Sequence, residues 1–158
     1  TQHTTRITTT TTRTPTPTFT LTPTLVPTQE LLPNLAGTWD FNFIYEGYTN
    51  SDGVFKQRSS TESWSVNLWQ FDKKIEGQLL SINSVYVDSC TNAKIEGLID
   101  KDNLTLFIYF SGTCCPNEIA RIDGVIQNDK LFTGTYQPAK TPSGTCTLST
   151  GKAAGTKQ

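Results

Sequence analysis

Side chains able to act as nucleophiles, proton carriers or metal ligands are sparse in this chain, and their placement restricts what chemistry it can do. The only histidine is His3, inside an N-terminal stretch dominated by Thr. The remaining sequence therefore offers no imidazole to activate a Ser or Cys nucleophile. Carboxylates close in sequence, such as Asp100 and Asp102, sit in Asp100-Lys101-Asp102-Asn103, a composition that makes a solvated turn. No glycine-rich phosphate loop or dinucleotide fingerprint occurs. The four cysteines, Cys90, Cys114, Cys115 and Cys146, lack the C-x-x-C spacing of a zinc site. The expectation is a protein that is not an enzyme, with no catalytic residues, no cofactor and no metal. An even number of cysteines in an exported chain reads instead as two disulfides.

The elements that must carry these residues follow from hydrophobic period. From Ala36 onward the period is two rather than 3.6. Trp39, Phe41, Phe43 and Tyr45 alternate with Asp40, Asn42, Ile44 and Glu46; Trp64, Val66 and Leu68 alternate with Ser63, Ser65 and Asn67. Leu104, Leu106, Ile108 and Phe110 alternate with Thr105, Phe107 and Tyr109. About eight strands are expected, at 37–46, 62–71, 75–82, 93–100, 103–110, 118–127, 130–137 and 144–150. A motif recurs through them: Lys74-Ile75-Glu76-Gly77, Lys94-Ile95-Glu96-Gly97, Arg121-Ile122-Asp123-Gly124 and a looser Leu131-Phe132-Thr133-Gly134. Each places a base outward, Ile or Phe inward, an acid or Thr outward and Gly inward. Inward Gly leaves room for a large neighbour and lets the sheet coil tightly, as a small closed barrel demands. Short polar turns at hairpin distances imply an antiparallel up-and-down meander. Trp64, Trp69, Phe107 and Tyr109 either line a pocket or pack outside it, with a filled core the expectation.

Leu35-Ala36-Gly37-Thr38-Trp39 at the head of the first strand resembles the G-x-W opening of lipocalins and avidin-like barrels. The I-x-G, D-x-L and G-T-Y cadence is similar to small lipocalin-like domains of exported bacterial proteins. The resemblance covers about residues 35 to 150 and implies a lipocalin-like fold; it does not carry a ligand, because the later lipocalin motifs and the biotin-contacting set have no counterparts here. In such a meander, loops after odd-numbered strands share one rim, so all four cysteines fall together. Cys90 then joins one of Cys114 and Cys115, and Cys146 the other, with a strained vicinal bond as the remaining pairing. Closing the loop from Cys90 to either is worth about 3 kcal/mol on chain-entropy grounds.

Three segments are thus expected: an extended tail over 1–34, a barrel over 35–150 and a C-terminal tail over 151–158. The chain has no Met and starts at Thr1, which reads as loss of an initiator Met and a signal peptide, with an extracellular or cell-surface location. A net charge of −1 without a basic stripe points away from nucleic acid, and no apolar run is long enough to be a transmembrane helix.

Thr1 to Thr28 holds fifteen Thr and four Pro, the composition of an extended O-glycosylated stalk. Its order says more. Thr12, Thr14, Thr16, Thr18, Thr20, Thr22 and Thr24 occupy every even position, opposite Arg13, Pro15, Pro17, Phe19, Leu21, Pro23 and Leu25. One face is hydroxylated and is the candidate for O-glycosylation; the other carries Phe19, Leu21 and Leu25. Every proline here is odd-numbered, so lost N–H donors are confined to one edge of an extended strand. Such a segment suits addition to an exposed sheet edge. Thirty extended residues span on the order of 100 Å, enough to reach a second copy. The function expected is a structural subunit of a filament, joined head to tail to other copies of itself by its N-terminal strand. The alternative is a monomeric secreted lipocalin-like module binding a small apolar ligand or a protein target such as a protease. The single N-glycosylation sequon, Asn103-Leu104-Thr105, begins a strand and is read as structural.

Overall fold

Alternating inward and outward side chains make strands of nearly all the regular structure in the computed structural model, which describes residues 31–83, 92–111, 117–142 and 147–158. In chain order the strands are β1 (Gly37–Thr49), β2 (Phe55–Phe71), β3 (Lys74–Asn83), β4 (Asn92–Asp100), β5 (Asn103–Ser111), β6 (Ile119–Asn128), β7 (Leu131–Pro138) and β8 (Leu148–Lys157). Each pairs antiparallel with the next, and β8 returns to β1, so the eight strands close into an up-and-down barrel. Two-residue turns at Asp72-Lys73, Lys101-Asp102 and Asp129-Lys130 join strands at one rim. Asp72 and Lys101 take left-handed backbone there. No helix among the described residues is long and apolar enough to cross a membrane.

The interior is a column of large side chains. Trp39, Phe41, Phe43 and Phe132 are fully buried. Ring contacts run upward from Trp39–Phe132 at 5.7 Å and Phe41–Phe132 at 5.1 Å to Phe43–Trp64 at 4.6 Å and Phe43–Tyr136 at 5.0 Å. Each such pair adds about 0.5–1.5 kcal/mol beyond its burial. Small residues accommodate the rings: a methyl on Gly155 would collide with Phe132, and one on Gly77 would meet the Leu68 side chain at 2.6 Å. The recurring inward Gly has the role read from its spacing.

Residues 151–158 are not a C-terminal tail. Gly151 to Lys157 complete β8, which pairs with β1 from Trp39–Lys157 to Thr49–Leu148 and with β7 from Leu131–Thr156 to Tyr136–Gly151. Beyond Leu148 the inward face of this strand is Gly151, Ala153 and Gly155; Gly151 is kept small by the backbone of Ile44 and Tyr45 on β1, and Gly155 by the ring of Phe132. After Leu148 it therefore lacks the large apolar residues by which the other strands announce themselves. The barrel extends to the end of the chain.

The segment before β1 seals the turn-bearing rim. Leu35 is fully buried beneath the column, and Trp39 donates its indole N–H to the Leu35 carbonyl at 2.8 Å. Gln70 accepts from the Leu35 N–H at 2.7 Å and donates to the Pro33 carbonyl at 3.0 Å. Asn34 donates its N–H to Asp129 at 3.1 Å, and Lys157 donates to the Asn34 carbonyl at 3.2 Å. These bonds from β2, the β6–β7 turn and β8 fix where the N-terminal segment leaves the barrel.

Candidate functional site

Three features could do work beyond holding the fold. The first is the outer face of the recurring motif. On β3, Lys74 meets Glu76 at 2.7 Å; on β4, Lys94 meets Glu96 at 2.7 Å; on β6, Arg121 meets Asp123 at 2.6 Å. Base and acid two residues apart share a sheet face, so each strand carries its own ion pair. The hydrogen bonds favour the charged forms, raising the Lys74 and Lys94 amines and lowering the Glu76 carboxyl from their ordinary values. Arg121 also lies over the Phe107 ring at 5.7 Å. These exposed pairs shield a sheet surface and bring no reactive group into an enclosed space.

The second feature is a polar and aromatic cluster where the column reaches the other rim. Glu62 points inward, continuing the parity of Trp64, Val66 and Leu68 on β2. Its carboxylate accepts from the indole N–H of Trp64 and from the Tyr45 hydroxyl. Partial burial raises the Glu62 carboxyl above its ordinary value, while those two hydrogen bonds pull it down. Burial, the neighbouring Tyr136 and Glu62 itself push the Tyr45 phenol up. Tyr45 and Tyr136 are 5.6 Å apart by ring centroids, and Trp64 and Phe110 are 6.0 Å apart. The chemistry available is hydrogen bonding and stacking. Glu62 escaped the sequence reading, although running the alternation back from Trp64 points it inward.

The third feature is an early end to the β3–β4 ladder among the described residues. β3 pairs with β4 only from Lys74–Leu98 to Gln78–Lys94. Beyond Gln78, β3 continues through Leu79–Asn83, paired with β2 alone among the described strands. Asn92 and Ala93 of β4 are likewise paired only with β5. A bulge is the local cause: Val66 faces Leu79 and Ser65 faces Ser81, leaving Leu80 as an extra residue that bends the end of β3. The sequence carries the sign of it, since Leu79-Leu80 places two apolar residues in succession within a period-two strand. A groove of about 390 Å³ lies there over Gly77, Gln78, Asn92 and Ala93, flanked by Trp69, Lys94 and Ser111. The same sector carries exposed Trp69, Phe71, Leu80 and Leu98, which are 43%, 60%, 55% and 61% accessible. Of these, Trp69 flanks the groove and Leu80 stands at the bulge, whereas Phe71 and Leu98 lie beside Lys74 at the turn-bearing rim.

Trp64 is thus in the core, Trp69 is outside beside the groove, and Phe107 and Tyr109 lie half-buried on the outer face of β5. The inter-subunit candidates Phe19, Leu21 and Leu25, the Thr12 to Thr24 series and Cys90, Cys114, Cys115 and Cys146 lie outside the described residues. Among the described residues, no group of three or more His, Cys, Asp or Glu could hold a metal ion.

No family model and no curated protein matches this sequence. Among solved structures the chain is similar to EF1p2_mFAP2b bound to DFHBI, at 16% identity and a TM-score of 0.48, covering 78% of this chain and 94% of that one.

Proposed function

We propose that this chain is a structural subunit of an extracellular or cell-surface filament: a lipocalin-like barrel that polymerises head to tail by receiving the N-terminal strand of a neighbouring copy. The observation that carries this reading is the opposition of two ends. The N-terminal segment leaves the barrel at the rim sealed by Leu35, whereas among the described residues the β3–β4 ladder stops at Gln78–Lys94, short of the opposite rim. A donor at one end and an acceptor at the other is the arrangement that repeats without closing. The packed aromatic column agrees with it, since a filled interior suits a socket and girder better than a carrier. Thr12, Thr14, Thr16, Thr18, Thr20, Thr22 and Thr24 are the residues proposed to carry O-linked glycans, on the face of the tail turned from the sheet. Electron microscopy and mass measurement of the full-length protein test the reading. Polymers are expected, and a strictly monomeric full-length chain overturns it.

A second reading draws on the cluster of Tyr45, Glu62, Trp64 and Tyr136. In it the protein is a monomeric secreted module that takes a small apolar ligand, or a protein such as a protease, at that rim. It requires monomeric full-length protein to bind an apolar fluorophore saturably, with binding lost in Tyr136→Ala.

A further inference from the structure

We infer that the outer wall of β2–β4, beside the turn-bearing rim, is the seat of the chain's own N-terminal segment, with Leu25-Val26-Pro27 lying across Phe71, Lys74 and Leu98. This goes beyond the filament reading and holds for a monomer as for a polymer. Outward positions next to this row are otherwise polar: Glu76 and Gln78 on β3, and Lys94, Glu96 and Asp100 on β4. Phe71 and Leu98 depart from that pattern, and both are exposed. Lys74 pairs with Phe71 across β2–β3 and with Leu98 across β3–β4, so the three side chains form one row. The Lys74 amine reaches Glu76 at 2.7 Å, and its methylene stem lies between the two apolar side chains. The barrel core gives no reason for this row, because its side chains point away from it.

The topology selects the occupant. β3, β5 and β7 end at the opposite rim, so the connections that follow them set out from there. Leu98 lies six residues down β4 from Asn92, about 20 Å away. The connection 84–91 must return to β4, so it reaches about half of its extended length, ~13 Å. The chain before Leu31, by contrast, begins beside the row. The Pro33 carbonyl accepts from Gln70, the neighbour of Phe71, and Leu31 is almost fully exposed. Leu25-Val26-Pro27 is the one run of three apolar residues among residues 1–30. Extended, it covers about 10 Å, the width of the two strand spacings from β2 to β4. Pro27 stands four residues before Leu31, a reach of about 13 Å. Pro27 then meets Phe71, Val26 the Lys74 stem and Leu25 the Leu98 side chain. The missing N–H of Pro27 costs nothing here, because the outer wall offers side chains rather than a strand edge. Glu30, the only acid among residues 1–34, comes beside Lys73 and Lys74; Lys73 meets Asp100 at 3.6 Å in solvent, a loose pair that can share a second carboxylate. A tethered run faces its own wall at a millimolar effective concentration, which a second copy does not match. The contact sets the direction in which residues 1–24 leave, over β4 rather than along the barrel axis. The cost of ordering the run offsets much of its burial, so the stability of the barrel changes little.

The test places a benzophenone amino acid at Leu98 of the full chain, prepared as a mixture of heavy- and light-isotope copies. Irradiation is expected to join residue 98 to residues 24–28 of the same copy, giving single-isotope adducts in monomer and polymer fractions alike. Mixed-isotope adducts to residues 24–28 overturn the chain's own tail as occupant. Adducts elsewhere, or none, overturn the row as the seat of this run. In an independent arm, Leu25→Asp alters a residue outside the barrel, so the fold is retained by circular dichroism. The methyl resonances of exposed Leu98 are expected to shift while those of buried Leu106 stay fixed. An unmoved Leu98 signal overturns the contact. Polymerisation is scored separately by light scattering, so the filament reading stands or falls without this result.

Discussion

Glu62 shows how one inward carboxylate couples the rim to pH. Partial burial raises its pKa in the folded barrel above the unfolded value near 4.5. Between the two values the folded state holds more protons than the unfolded one, so stability falls as pH rises through that window and levels off above it. Glu62→Gln keeps an acceptor for Trp64 and Tyr45 but cannot ionise. The variant should therefore lose that pH dependence and gain stability relative to the parent as pH rises from the unfolded value, read from urea midpoints measured across acid to neutral pH. A parent–variant difference independent of pH would contradict it. Gly155 is the complementary case, constrained by space rather than charge. A methyl there collides with Phe132, so Gly155→Ala is expected to cost about 1–3 kcal/mol in denaturant unfolding, the usual range for overpacking. A neutral substitution would mean that the ring can move aside.

Among the elements, β8 separates what alternation announces from what it conceals. Its inward Gly151, Ala153 and Gly155 have no hydrophobic signal, yet the strand is hydrogen-bonded to β1 and to β7. Removing residues 152–158 should open the barrel along two ladders, with loss of the cooperative thermal transition in circular dichroism. A truncated chain that melts like the parent would show that β1 and β7 close without it. β3 gives the opposite lesson, because its irregularity was legible: Leu79-Leu80 breaks the period where the bulge occurs. The inward set of β1, β2 and β5 was readable for the same reason, since burial on one face forces the period. Glu62 was legible only as the next residue of that series, and its hydrogen bonds depended on Tyr45 being brought beside it by the β1–β2 pairing.

For the whole molecule, the two ends of the barrel are chemically different. One is sealed by Leu35 and the bonds from Gln70, Asp129 and Lys157; the other carries the Glu62 cluster, beyond the last described pair of the β3–β4 ladder. Deleting residues 1–30 should leave the melting of the barrel unchanged, because the seal begins at Pro33, and should abolish polymer measured by light scattering. Phe19→Asp should do the same by placing a charge on the inserted face. Polymers from either variant would show that the joint lies elsewhere.

The sequence by itself determined the strand character, the inward and outward faces of most strands, the use of Gly beside large rings, and the one-sided prolines of the tail. These are local consequences of period two and of missing N–H groups, and neither depends on what lies across the barrel. Only the tertiary structure decided that residues 151–157 close the wall, that Glu62 meets Tyr45 and Trp64, and that among the described residues the β3–β4 ladder stops at Gln78–Lys94. Closure and the extent of a ladder belong to pairs of strands, and the register between them is set by bulges and by which rings must fit inside.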